Sequence, residues 1–190
     1  MRYALLDLEA EPEGVSFLIG FDGETEIIGY PKVRLFVEAD GSDDMDVFVL
    51  LQELDADGVA LEQFNVPNHG EPIATFTRSG ASILNYKGSN GRLRVSLRKL
   101  DEEVSTDEVP AHAFDTVEKL APGEVVQIEI DMFPVGLALH PGEQLWLTAS
   151  GTNLLGGVMP NVPDRTPQNH GRHVLHTGGA RASYLQVGVR

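Results

Sequence analysis

Cysteine is absent from the 190 residues. That removes disulfides, thiol nucleophiles and thiolate metal sites, and it fits a reducing compartment. Basic residues are scarce, 14 against 29 acidic ones, for a net charge of −15. Such a surface repels phosphate backbones, so no nucleic-acid partner is expected. Aromatic residues make up 7% of the chain, with a single tryptophan and no cluster of rings to stack bases. No stretch approaches the ~20 apolar residues of a membrane span, so no membrane partner is expected. The opening "MRYALLDLEAEPEG" has acidic residues where a signal peptide carries its apolar run. The expected location is therefore the cytoplasm. Gly-x-Ser-x-Gly, the frame of a nucleophile elbow, does not occur.

What the chain does contain is alternation of period two, the signature of half-buried strands. In "GVSFLIGF", Val15, Phe17, Ile19 and Phe21 share a face. In "KVRLFVEA", Val33, Leu35 and Val37 do the same. "VVQIEIDM" sends Val126, Ile128, Ile130 and Met132 inward and Gln127, Glu129 and Asp131 outward. "QLWLTAS" and "SYLQVGV" follow suit, whereas "MDVFVLLQEL" is apolar on both faces, as in a central strand. "DADG" at 55–58 followed by "VALEQF" reads as a hairpin. Pro-Gly-Glu precedes a strand twice. Pro122 and Pro141 preset φ for the first corner of a type II turn, and Gly123 and Gly142 supply the positive φ at the second. The helix signal is thin. Residues 113–120, "AFDTVEKL", form one or two turns or an extended crossing. Residues 64–82, 101–120 and 151–172 read as long connections. Many short strands and long loops predict two packed antiparallel sheets in one domain.

Five groups of residues invite a chemical reading. "GRLRVSLRKL", 91–100, concentrates Arg92, Arg94, Arg98 and Lys99 in an acidic chain. At period two, Leu93, Val95 and Leu97 face the core while Arg92, Arg94, Ser96 and Arg98 face out. The cations then offset acidic neighbours across a sheet or form a docking strip for an acidic domain. "ADGSDDMD", 39–46, alternates Asp40, Ser42, Asp44 and Asp46 like the start of a calcium loop. It lacks the sixth-position Gly, and Leu51 stands where the bidentate Glu belongs, so a solvated turn is expected rather than a metal. His170, His173 and His176 step by three, which on a strand throws side chains in different directions, and no carboxylate partner completes a zinc set. Ser89 and Ser150 have no nucleophile frame. Trp146 alternates with Leu145 and Leu147, as a sugar platform, an interface anchor or a ring packed beneath a loop.

With these segments laid out, the chain resembles the C-terminal, non-catalytic domain of the X-prolyl dipeptidyl-peptidase and cocaine esterase family of serine hydrolases. Residues 23–58 are similar to the opening of that domain. "GRLRVSLRKL" is similar to its Arg-x-Ser-x-Arg segment, with Arg94, Ser96 and Arg98 in register; the tryptophan usual after the glycine is replaced by Arg92. "LAPGEVVQIEIDMFPVGLALHPGEQLWLTASG" resembles the paired Pro-Gly turns, and "NHGRHVLHTGGARASYLQVGV" the closing segment. The resemblance implies an all-β jelly-roll β-sandwich, galactose-binding-domain-like, mostly antiparallel with little helix. It implies residues 1–190 as a single jelly-roll domain, the C-terminal part of a larger α/β-hydrolase protein. The partner would be the α/β-hydrolase catalytic domain in cis, which in relatives holds the Ser-Asp-His triad. No catalytic residue, cofactor or metal is expected in this chain. Arg94, Arg98 and Trp146 are the expected interface residues, and a homo-oligomer stays open. The alternative is a free-standing carbohydrate-binding or protein-interaction jelly roll.

Overall fold

The computed structural model describes residues 2–7, 16–61, 63–65, 84–155 and 169–190. Fourteen strands occur among them. They are β1 (Arg2–Asp7), β2 (Ser16–Gly20), β3 (Thr25–Gly29), β4 (Lys32–Asp40), β5 (Asp46–Leu54), β6 (Ala60–Leu61) and β7 (Gln63–Asn65). They continue with β8 (Leu84–Tyr86), β9 (Ser89–Arg94), β10 (Val126–Asp131), β11 (Val135–Leu139), β12 (Gln144–Ser150), β13 (Arg172–His176) and β14 (Tyr184–Val189). Helix among the described residues is confined to two 3-10 turns, Val95–Leu97 and Gly179–Arg181. None is long and apolar enough to cross a membrane.

The strands form two large antiparallel sheets. Sheet A runs β10-β4-β14-β3-β11, with β1 added on β14 and β13 on β4. Sheet B runs β2-β12-β5-β6, with β9 added on β5. A small pair, β7-β8, stands apart from both. The alternating residues predict the inner faces correctly. Val33, Leu35 and Val37 of β4 and Ile128 and Ile130 of β10 are buried in one core with Val47, Val49 and Leu51 of β5 and Leu145 and Leu147 of β12. Phe17 joins them, with Ile19 and Phe21 packed against the margin; Val15 lies outside the described residues. β5 is buried on both faces, since Leu50 and Leu54 are covered as well as the inward side chains. The all-β sandwich expectation holds.

The turns form as their chemistry dictates. Gly123 and Gly142 take φ of 75° and 92°, and Glu124 N and Glu143 N close the turns on Ala121 O and His140 O at 3.0 Å each. The glutamates have a role the turn rules did not reveal. Each carboxylate accepts the backbone N–H three residues earlier, Ala121 N at 2.7 Å and His140 N at 2.6 Å. The 55–58 hairpin is tied by Asp55, whose Oδ1 accepts Asp57 N and Val59 N.

One expectation needs correction, and one outward face proves to be covered. The strand in "GRLRVSLRKL" ends at Arg94, and Val95–Leu97 is a 3-10 turn. Ser96 therefore points inward, 1% exposed, rather than out with the arginines. Glu129 does face outward from β10, yet it is only 8% exposed, because the connection after Leu100 folds over that face. There Lys32 Nζ donates to Asp107 O (2.6 Å) and Glu129 Oε2 (3.2 Å). Arg34 Nε donates to Glu129 Oε1 (2.9 Å) while its guanidinium lies 4.6 Å over the Tyr184 ring. Burial opposes the Glu129 charge, but the two cations outweigh it and hold the carboxyl below its ordinary range. Of the predicted long connections, 101–120 is irregular as expected and has no α-helix at 113–120. Most of 64–82 and the middle of 151–172 lie outside the described residues.

Candidate functional site

The structure gathers three of the stretches singled out above at one end of β5. Asp46, its first residue, pairs across the ladder with Arg94, the last residue of β9. The guanidinium grips the carboxylate with both forks, Nε to Oδ1 and Nη2 to Oδ2, each at 2.8 Å. Bidentate pairing of this kind is the stronger and more oriented form of ion pair. The Asp46 bond raises the Arg94 pKa further.

Past Arg94 the chain must leave the ladder, since the 39–45 turn occupies the partner side. Val95 N still reaches Met45 O at 2.9 Å. The 3-10 turn then swings Ser96 onto Asp44, whose Oδ1 accepts Ser96 N (3.0 Å) and Met45 N (2.9 Å) and whose Oδ2 accepts Ser96 Oγ (2.7 Å). Burial penalises the Asp44 charge, but these donors and Lys119 more than offset it, so the carboxyl sits below its ordinary 3.8. The expected solvated turn at 39–46 is thus half-buried at Asp44 and fully buried at Met45. Lys119 bridges Asp43 and Asp44 at 3.2 Å each.

Arg98 serves the next segment of chain. Its Nη1 donates to Val95 O (3.2 Å) and Glu118 O (2.6 Å), and Nη2 lies 3.2 Å from the Glu118 carboxylate. Asn169 completes the clamp from the far end of the chain. Its side-chain amide accepts Asp46 N (2.7 Å) and donates to Asp46 O (3.1 Å) and Gly151 O (2.6 Å). A single amide thus pairs with both backbone groups of Asp46, extending the ladder where no strand is present. An open cleft of about 180 Å³ lies over these groups, lined by Asp43, Asp44, Asp46, Arg94, Lys119 and His170 among others.

The remaining candidates scatter. Asp40 pairs with Arg172 at 2.8 Å. His176 Nε2 meets Glu38 at 2.9 Å and its Nδ1 meets Arg181 at 2.9 Å, while His170 lies at the cleft and the His173 ring packs beside Gly151. Among the described residues no three His, Asp or Glu side chains converge as a metal set. Ser89 donates to Phe133 O, and Ser150 Oγ meets the Thr152 hydroxyl at 3.1 Å. Trp146 is half-buried on the outer face of β12, in register with Leu18 of β2 and Gln52 of β5. Arg94 and Arg98 are thus engaged in ion pairs within the chain. Sequence reasoning missed Asn169 and Lys119. The only local hint for Asn169 is its place before the Gly171 turn, and nothing near it points 123 residues back to Asp46.

Chemically the site is a clamp. Its carboxylates already hold backbone donors or cations, and its serine hydroxyl donates to a carboxylate rather than to a histidine. It braces one end of the sandwich and fixes the start of the 98–120 connection.

Comparison with known proteins bears on what such a braced sandwich is for. A family description, "X-Pro dipeptidyl-peptidase C-terminal non-catalytic domain", matches residues 1–186. Two solved structures of a CocE/NonD family hydrolase from Staphylococcus aureus are 32% identical to the chain, with TM-scores of 0.77 and 0.78. They are covered over 32% and 33% of their own length, and cover 99% and 100% of this chain. The chain therefore spans about a third of those hydrolases. An aminopeptidase from a marine sediment Thaumarchaeota archaeon shares the fold at 14% identity and TM-score 0.55, over 93% of this chain and 26% of that one. Comparison with curated proteins gives no match.

Proposed function

Because the chain belongs to the family of X-Pro dipeptidyl-peptidase C-terminal non-catalytic domains, we propose that it is the accessory half of a CocE/NonD-like serine hydrolase. In this reading it packs on an α/β-hydrolase catalytic domain carried by the same polypeptide and helps wall the substrate pocket, without supplying the nucleophile. The substrates would be peptides, esters or amides, chosen mainly by the catalytic domain. The observation that carries the reading is the proportion between chain and relatives: the match fills this chain but only about a third of each hydrolase. The clamp is in keeping with it, since its ionisable groups are spent on one another.

The test is activity of the parts. The pure 190-residue chain should hydrolyse neither Xaa-Pro dipeptide amides nor short acyl esters. The gene upstream of Met1 should encode a Gly-x-Ser-x-Gly hydrolase domain. That domain, expressed without this chain, should lose most of its turnover or solubility and regain it when the chain is added. Turnover by the pure chain, abolished by a serine-directed inhibitor, would refute the proposal.

A further inference from the structure

The connection from Arg98 to Leu120 is a braced arm rather than a loose loop. Its two limbs pair, Ala113 N with Lys99 O at 3.0 Å, Leu100 with His112, and Asp101 N with Ala111 O at 2.8 Å. The return limb is then tied to the clamp by Glu118 N on Ser96 O (2.7 Å) and Leu120 N on Asp43 O (2.9 Å). Between these anchors the arm presents Phe114 and Val117, 66% and 62% exposed. Phe114 has φ of 54°, and among the described residues it is the one non-glycine in the left-handed region. Bulky side chains rarely occupy that region, and such outliers cluster at functional positions. Here the strain is not offset by burial, because the ring meets the His112 ring at 5.9 Å and is otherwise open. The neighbouring residue is held as well, by the Lys99–Asp115 ion pair at 2.9 Å. A glycine would make this turn without strain. The arm instead spends rigidity on holding an aromatic side chain in solvent.

We propose that Phe114, with Val117 beside it, is the anchor by which this chain docks on its hydrolase catalytic domain, entering an apolar recess. The inference rests on the accessory-domain reading above and names the surface it uses. Aromatic residues, phenylalanine among them, are enriched at the cores of interfaces relative to the rest of a protein surface. The occupant follows from two observations. The solved relatives carry about two further thirds of polypeptide beyond the part this chain matches. A second copy is the poorer fit: a two-fold contact sets the same patch against itself, which brings together two chains that each carry a net charge of −15.

The experiment compares Phe114→Gly in two settings. In the isolated chain it should leave the melting temperature unchanged or raise it, since glycine relieves the strain. In the complete hydrolase the wild type should melt in one transition. The variant should split that transition in two and speed proteolysis at the domain junction several-fold. Val59→Ser, at an exposed apolar residue just after the 55–58 turn, should leave the single transition intact. A lower melting temperature for the isolated variant would mean Phe114 serves this chain's own fold, and the proposal fails. Equal coupling in wild type and variant also sinks it while leaving the accessory-domain reading standing. Independent melting of the wild-type domains removes both. A wild-type chain that dimerises in sedimentation, with the dimer lost in Phe114→Gly, would assign the surface to a second copy and overturn the proposal.

Discussion

The Lys32–Glu129–Arg34 cluster and the clamp at the start of β5 use the same residue types in different surroundings. Lys32 and Glu129 are sealed between sheet A and the 105–112 segment, 3% and 8% exposed. In the clamp the Arg94 side chain is 39% exposed and its partner Asp46 16%. Removing one partner from the sealed cluster strands a charge away from water. Removing one from the clamp leaves a group that solvent in the cleft can reach. The sealed cluster works as a staple that holds the arm down on the sheet. The clamp sets where the arm leaves the sandwich, at the border of an open cleft.

That contrast is sharpest at Glu129. Glu129→Ala leaves the Lys32 ammonium with only a carbonyl for company, and breaking a buried pair in this way costs about 3–5 kcal/mol. Urea unfolding should show the midpoint falling accordingly. A loss no larger than that of a surface pair would erase the distinction between the two clusters.

Asp44 should rank next. Asp44→Ala orphans Ser96 N, Ser96 Oγ and Met45 N, and unsatisfied buried donors cost about 1–3 kcal/mol. The same carboxylate carries a pH signature. Asp44 and Glu129 are both held below their ordinary 3.8 and 4.5 in the folded chain. The unfolded chain therefore binds protons first as pH falls. Their contribution is complete above about pH 4.5 and drains away as pH drops through the folded values. Stability measured from pH 6 to pH 3 should decline through that window, and Asp44→Asn should flatten the slope. A wild-type profile that stays level to pH 3 would contradict both assignments.

The smallest effect belongs to the arm's outer ion pairs. Lys99 and Asp115 are open to solvent, and exposed pairs contribute little to folding. Lys99→Ala should leave the chain's melting temperature within error in 0.15 M salt. A clear drop would mean the pair braces Phe114 more tightly than its exposure allows.

How much of this was legible in advance depended on how far apart the partners lie. The faces of β4, β10 and β12 follow from alternation, because a side chain's face on a strand is set by its own position. The Pro-Gly-Glu turns follow from φ preferences of two adjacent residues. "GRLRVSLRKL" misled for the same reason: its alternation is real, but the ladder ends when the partner strand ends, and β5 begins only at Asp46. Ser96 meets Asp44 across 52 positions and Asn169 meets Asp46 across 123. Glu129 read simply as an outward residue because no local pattern announces that the 105–112 segment will lie over it.

The sequence by itself determined the strands, their inward faces and the turns between them, since these depend on periodicity and dihedral preference within a few residues. It also carried the family resemblance, which needs only order and spacing. The tertiary structure decided which charges are sealed, which are clamped and which apolar side chains are left outside. Those outcomes depend on contacts between segments far apart in the chain, where burial and partner geometry, not local preference, set the energy.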